Sequence, residues 1–232
     1  LITIFLGSVI MGMIAMLVAV PLGLGTAVYL SEFAPTKVRK ILKPIVEVLA
    51  GIPSVIVGYF ALKFIAPNIV TPIFSPDQPR NMLVSGLAIG VLVVPIMASI
   101  SEDALRAVPS SLREASYGIG ARKSTTTIRI VIPAAVSGIV AAFIIATSRA
   151  IGETMVAAMA GGRDGSGPRT LNPLEPGLTM TAAMTNAAGG TDQVNSGAPF
   201  QVLFFVGLLL FLMTMTLNVI GDRFVQRVRQ QY

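Results

Sequence analysis

Ala146-Thr147-Ser148-Arg149-Ala150-Ile151-Gly152-Glu153-Thr154-Met155 places two ionised side chains, Arg149 and Glu153, in a run from 130 to 160 that holds no other charge. A run that long and apolar is read as membrane-embedded, where each central charge costs about 2.5–3.5 kcal/mol on insertion scales. Such residues face a bundle interior or an aqueous pathway. The i,i+4 spacing predicts one helical face for both, so that they pair when nothing else is bound. The expectation is that the pair marks the crossing point of a hydrophilic, anionic solute. A static structural ion pair is the plainer alternative.

The composition agrees with a membrane protein. The 232 residues are 53% hydrophobic and only 12% charged, about half the charge share of a soluble domain, and the mean hydropathy is +0.78. The sequence has no cysteine, tryptophan or histidine. This excludes disulfide frameworks, Cys/His metal sites and any imidazole base, and the acids do not cluster. No metal site and no cofactor is expected in the chain itself. The first residue is Leu1, already inside an apolar run. It reads neither as a signal peptide nor as a natural start, so a preceding helix is expected upstream.

Outward from the opening stretch, five apolar spans of about 20 residues appear. They are residues 1–30, interrupted by Pro21 and Gly23; 44–66, with Glu47 and Lys63 near its ends; 82–100, containing Pro95; one beginning near Ile130; and 200–220, ending at Asp222-Arg223. Twelve of the seventeen basic residues fall in three segments between or after spans: Lys37, Arg39, Lys40 and Lys43; Arg106, Arg113, Arg122, Lys123 and Arg129; Arg223, Arg227 and Arg229. Basic loops stay on the cytoplasmic side, so the +6 charge reports topology rather than nucleic-acid binding. The opposite loops mix Arg80, Arg163 and Arg169 with Asp77, Asp164, Glu175 and Asp192. Residues 161–199 form a long outer loop, either a docking surface or a connector, in which Thr179 is placed to cap a short helix over 180–184.

Between the third and fourth spans lies Pro109-Ser110-Ser111-Leu112-Arg113-Glu114-Ala115-Ser116-Tyr117-Gly118-Ile119-Gly120. Ser111 and Glu114 have capping-box spacing, Gly118 or Gly120 can supply a left-handed stop, Ser124 is placed to cap the next helix, and Pro133 to kink it. A two-turn cytoplasmic helix is predicted. Its spacing is Glu114-Ala115-Ser116, three residues, Gly120, nine residues, Ile130, one residue, Ile132-Pro133. This resembles the Glu-Ala-Ala loop of ABC-importer permeases, departing only at Ser116 for Ala and Ile132 for Leu. The resemblance implies an all-α, polytopic type I permease bundle of residues 1–221 with a coupling loop at 101–129, and a cytoplasmic tail at 222–232. It implies that Leu112, Glu114, Ala115, Gly120, Ile130 and Pro133 serve coupling to an ATPase subunit.

Leu30-Ser31-Glu32-Phe33-Ala34-Pro35, Leu49-Ala50-Gly51-Ile52-Pro53-Ser54-Val55 and Ser148 through Met155 are further similar to phosphate-importer permeases, the last to the C-type subunit. That likeness implies a plasma-membrane subunit of a bacterial or archaeal importer. Its implied partners are a homologous A-type permease, an ATPase dimer that binds the ATP and magnesium, an extracytoplasmic phosphate-binding protein and membrane lipid. Arg149, Glu153, Thr154 and Ser54 are the candidate translocation residues. Arg149 offers a planar fork of donors to phosphate oxygens, and Glu153 can accept from a phosphate P–OH, a proton that sulfate lacks. Pro53 breaks the second span, either as a simple kink or so that free amides face an anion. The chain has no Gly-rich Lys-Ser/Thr loop and is not itself expected to hydrolyse ATP. Rival readings are a permease for sulfate, molybdate or another solute, the A-type subunit, a secondary transporter, and a membrane enzyme or scaffold.

Overall fold

The computed structural model describes residues 1–162, 170–189 and 198–228. Among these the chain is helical with no β-strand, and the only bridge is the isolated pair Gly162–Gly177. Ten helices are distinguished here: α1 (Ile2–Phe33), α2 (Thr36–Leu49), α3 (Ser54–Phe74), α4 (Met82–Arg106), α5 (Ser110–Gly118), α6 (Lys123–Ala134), α7 (Val136–Ile151), α8 (Met155–Ala160), α9 (Met180–Gly189) and α10 (Ala198–Val228). α1, α3, α4 and residues 201–227 of α10 are each long and apolar enough to cross a membrane. The α6–α7 pair, bent by 69°, brings the number to five if the two are taken as one span. Arg163, Asp164, Arg169, Asp192 and Arg229 lie outside the described residues.

The second span is displaced from its expected place. Residues 44–49 belong to α2, an amphipathic helix with no buried residue, and the span itself is Ser54–Phe74. Pro53, at φ −58° and ψ 129°, is the divider. It lacks an amide donor and pushes Ile52 out of the helical region. Glu47 therefore sits exposed on α2, and Lys63 moves from a span end to the tenth of 21 residues. The fourth span starts earlier than expected, at Lys123. Its bend follows Pro133, which lacks the amide a straight helix would use. Pro21, by contrast, lies inside an uninterrupted helix. α10 continues to Val228, past the expected start of a tail at 222.

The chain forms two compact units. The first comprises residues 1–18, 52–93 and 147–216. Its core is small and apolar: Met11, Ala15, Ala66, Val70, Met82, Ala88, Val156, Ala157 and Ala160 are buried. Within a bilayer, helices associate by close packing rather than by escaping water, which favours small residues at contacts. Gly86 and Gly90, four apart on α4, serve this contact. A Cβ on either would come within 2.6 and 2.8 Å of Ile14 and Val18 of α1.

The second unit comprises residues 19–51, 94–146 and 217–232. All three basic segments belong to it. Ala27, Leu105, Val108, Val131 and Ala135 form its core, with Leu112, Ile132 and Ile139 packed against it.

Candidate functional site

α7 does not carry both members of the charged pair. It ends at Ile151, and the chain turns through Gly152 and Glu153 before α8 begins at Met155. The Gly152 amide donates to Ser148 O (3.0 Å) and the Glu153 amide to Ala150 O (3.3 Å), tightening the turn. The expectation of a single helical face for Arg149 and Glu153 is corrected accordingly. The two meet across a helix break, with Arg149 Nη2 3.8 Å from Glu153 Oε2.

Their environments differ sharply. The Glu153 side chain is 3% exposed, whereas that of Arg149 is 50% exposed. Glu153 Oε1 accepts from the amides of Met155 (3.2 Å) and Val156 (3.5 Å), so the carboxylate caps α8. Only Oε2 is turned toward the guanidinium. Thr154 Oγ1 donates to Gly152 O (3.3 Å) and steadies the same turn.

Residues 179–181 hold this break from behind. Thr181 Oγ1 donates to the Glu153 carbonyl (2.9 Å), and the Thr179 and Thr181 hydroxyls are 2.9 Å apart. Thr179 also caps α9 as expected, accepting from the Ala182 amide (3.1 Å), although α9 runs on to Gly189. Thr181 was not singled out from sequence; its Thr-Met-Thr setting reads only as a cap. Ser54 begins α3, which packs along α8; a Cβ on Gly58 would lie 3.4 Å from Val156 Cα. The sequence-predicted translocation residues thus divide into a cluster at 149–154 and Ser54 on the neighbouring helix.

The predicted cytoplasmic helix is α5, and its start differs from the expected capping box. Pro109 is the N-cap and no side chain caps the helix, so Ser111 and Glu114 lie within it, both exposed. Ser124 likewise lies inside α6, behind Arg122. What fixes α5 instead is Arg113. Its guanidinium donates to Val108 O (2.5 Å), Leu105 O (2.8 Å) and Glu32 Oε1 (3.1 Å), tying α5 to the C-terminal ends of α4 and α1. Ser31 adds a 2.9 Å hydrogen bond to the same Glu32 oxygen. Ser116, the departure from the family's alanine, is buried 2.8 Å from Thr126 Oγ1 and joins α5 to α6. Leu112 points into the core, while Glu114, Ala115, Tyr117 and Ile119 remain exposed, Ile119 by 86%. Gly120 takes the left-handed turn at φ +81°. Ile130 is half-buried and Pro133 exposed, both on α6 beyond the turn.

A second polar assembly was not anticipated. Glu102 of α4 is buried, with Arg39 Nε at 2.9 Å, Lys43 Nζ at 2.6 Å and Arg106 Nη1 at 3.9 Å. The Arg39 approach is a charge contact whose N–H does not point along it. Lys43 also bonds Asp103. Burial pulls the Lys43 pKa down, but the hydrogen bonds to Asp103 and Glu102 outweigh it, and the net direction is upward. This group ties α2 to the end of α4.

Residues 19–231 match the family model for a binding-protein-dependent transport system inner membrane component. The phosphate transport system permease protein PstC of Mesorhizobium japonicum is 32% identical over 96% of this chain and 72% of its own length. PstC 1 of Mycobacterium tuberculosis gives 32%, 96% and 71%. A "Probable ABC transporter permease protein YqgH" of Bacillus subtilis is 31% identical over 90% of this chain and 66% of its own length. The chain therefore spans about two thirds to three quarters of these relatives. In fold it is similar to a chain of the inward-facing MetNI methionine ABC transporter, with TM-score 0.67 and 21% identity over 97% of this chain and 92% of that one.

A multi-pass helical bundle with a short exposed helix on its basic side is the architecture of an ABC-importer permease. The chain belongs to the binding-protein-dependent transport system inner membrane component family. It is a multi-pass protein of the plasma membrane, and this family context implies ATPase and substrate-binding partner chains.

Proposed function

We propose that the chain is the C-type permease subunit of an ATP-driven inorganic phosphate importer. It forms the path with a homologous A-type permease, docks an ATPase dimer at α5 and receives phosphate from an extracytoplasmic binding protein. ATP and magnesium are held by the ATPase chains. The observation that carries the reading is Arg149, a half-exposed guanidinium at a helix break inside an apolar span, in a chain 32% identical to PstC permeases.

A broken helix at membrane depth is the common setting for a transported ion. Here Arg149 supplies the fork of donors for phosphate oxygens. Glu153 Oε2 is its counter-charge at rest, and accepts a hydrogen bond from the P–OH when the anion arrives. Thr154 shapes the turn, and Ser54 starts the adjacent helix along the path. ATP-driven closure of the ATPases displaces α5. Through Arg113 that displacement reaches the ends of α1 and α4, and the spans rock between outward- and inward-facing states.

The test is reconstitution of the four-component complex in liposomes. Inorganic phosphate delivered by the binding protein stimulates ATP hydrolysis and is taken up, and Arg149→Gln abolishes uptake while the complex still assembles. Stimulation by sulfate or molybdate in place of phosphate overturns the substrate; unchanged uptake in Arg149→Gln overturns the site.

A further inference from the structure

Lys63 occupies the middle of a membrane span. It is nine residues from Ser54 and eleven from Phe74, the ends of α3, or roughly 14 and 16 Å along the helix axis. That is further than snorkelling carries an ammonium to either interface. The stretch Ala61–Val70 is a wider π-helix, a form found at functional sites. Ala61, Ile65, Ala66 and Val70 line its buried side. Lys63 is on the exposed side, flanked by the stacked rings of Phe60 and Phe64. Among the described residues it makes no ion pair and no hydrogen bond.

An ammonium without a counter-charge at that depth is unfavourable against lipid, so it faces water or an anion. Among the described residues of this unit, the ionised groups on the spans' helices or in the break after α7 are Lys63, Arg149 and Glu153, two cations against one acid whose oxygens are already engaged by the α8 amides and Arg149. The surplus is positive. α3 also packs along α8, the helix whose start lies beside Arg149. We propose that Lys63 is a second anion-binding position on the solute route, holding an oxyanion such as phosphate at mid-membrane ahead of or behind Arg149. This rests on the importer reading above.

The chain has no cysteine of its own, which permits a direct test in the assembled complex with cysteine-free partners. Lys63→Cys is exposed to a membrane-impermeant sulfonated thiol reagent, beside Phe211→Cys on the exposed face of α10 as a lipid-depth control. The proposal expects Lys63→Cys to be labelled, Phe211→Cys to be spared, and inorganic phosphate with its binding protein to slow the labelling. In parallel, Lys63→Gln lowers phosphate uptake at subsaturating concentration roughly tenfold, the scale of lost electrostatic focusing, and Lys63→Arg restores it. A Lys63→Cys as inert as Phe211→Cys, with uptake intact in Lys63→Gln, overturns the proposal and leaves the importer reading standing. Loss of assembly in Lys63→Gln overturns it too, by assigning the ammonium to the companion permease. Labelling slowed by sulfate and not by phosphate supports the anion position while sinking the phosphate substrate.

Discussion

Arg113 Nη2 lies 3.1 Å from Glu32 Oε1, joining the exposed cytoplasmic helix to the end of the first span across 81 positions of sequence. The Glu32 side chain is 5% exposed and that of Arg113 19%, so the contact is shielded. Removing one partner of such a pair costs about 3–5 kcal/mol. Glu32→Ala and Arg113→Ala are expected to lower the melting temperature of the complex. They should also uncouple it, leaving ATP hydrolysis while phosphate uptake falls. Arg113→Lys cannot reach two carbonyls and a carboxylate together and should behave nearly as badly. Coupled transport at the normal ratio of ATP to phosphate in Glu32→Ala would remove this linkage from the mechanism.

Gly120 is a separate case, because nothing lies within 4 Å of where its Cβ would stand. Within this chain the strain of a substitution there comes from the backbone, from its φ of +81°. A left-handed conformation costs an L-residue roughly 1–2 kcal/mol, least for asparagine. Gly120→Asn should keep uptake close to normal and Gly120→Val should not, as read by co-purification of the ATPase subunits and by transport. Equal tolerance of both would show that the turn is not needed in the assembled complex.

Glu153 has two tasks that one substitution separates. Glutamine keeps an oxygen for the α8 amides but cannot serve as the counter-charge of Arg149. Glu153→Gln is expected to preserve folding and to weaken discrimination of phosphate over sulfate in competition uptake. Glu153→Ala loses the cap as well, worth about 1 kcal/mol, and should be less stable. Selectivity unchanged in Glu153→Gln would confine the carboxylate to capping.

The Lys43 contacts predict a pH response of definite sign. Its folded pKa lies above the ordinary lysine value of 10.5. The stability it contributes is therefore complete below that value and is lost as pH rises through the folded pKa. The difference in melting temperature between the native chain and Lys43→Met should stay constant from about pH 6 to about pH 9 and close only above the lysine range. A difference that closes on acidification instead would point to the carboxylates as the titrating members.

Much of this was legible in the sequence, for identifiable reasons. Apolar runs of bilayer length led to the long helices α1, α3, α4 and α10 and to the bent α6–α7 pair. The expected short helix is present as α5, and Gly120 takes its left-handed turn. The boundary at Gly51-Ile52-Pro53 was visible, but hydropathy alone does not separate the amphipathic residues 44–49 from the span that follows, so Lys63 was placed at an end. The capping-box pattern at Ser111 and Glu114 was locally sound and lost to a longer-range competitor, the bonds of Arg113 to carbonyls of α4. Ser116 passed as a mild substitution because its partner Thr126 comes ten residues later, beyond a turn. Glu102 and Asp103 look like ordinary interfacial acids; only the approach of α2, some 60 positions away, makes a buried node of the first.

The hydroxyl of Thr181 fastens the Glu153 carbonyl from a segment far in sequence from all three basic segments. Withdrawing α9 by one hydrogen-bond length would remove this outside fastening and leave the turn to the bonds within residues 148–154. Any shift of α9 and the posture of the Arg149 guanidinium beside that turn thus share a clasp within one compact unit.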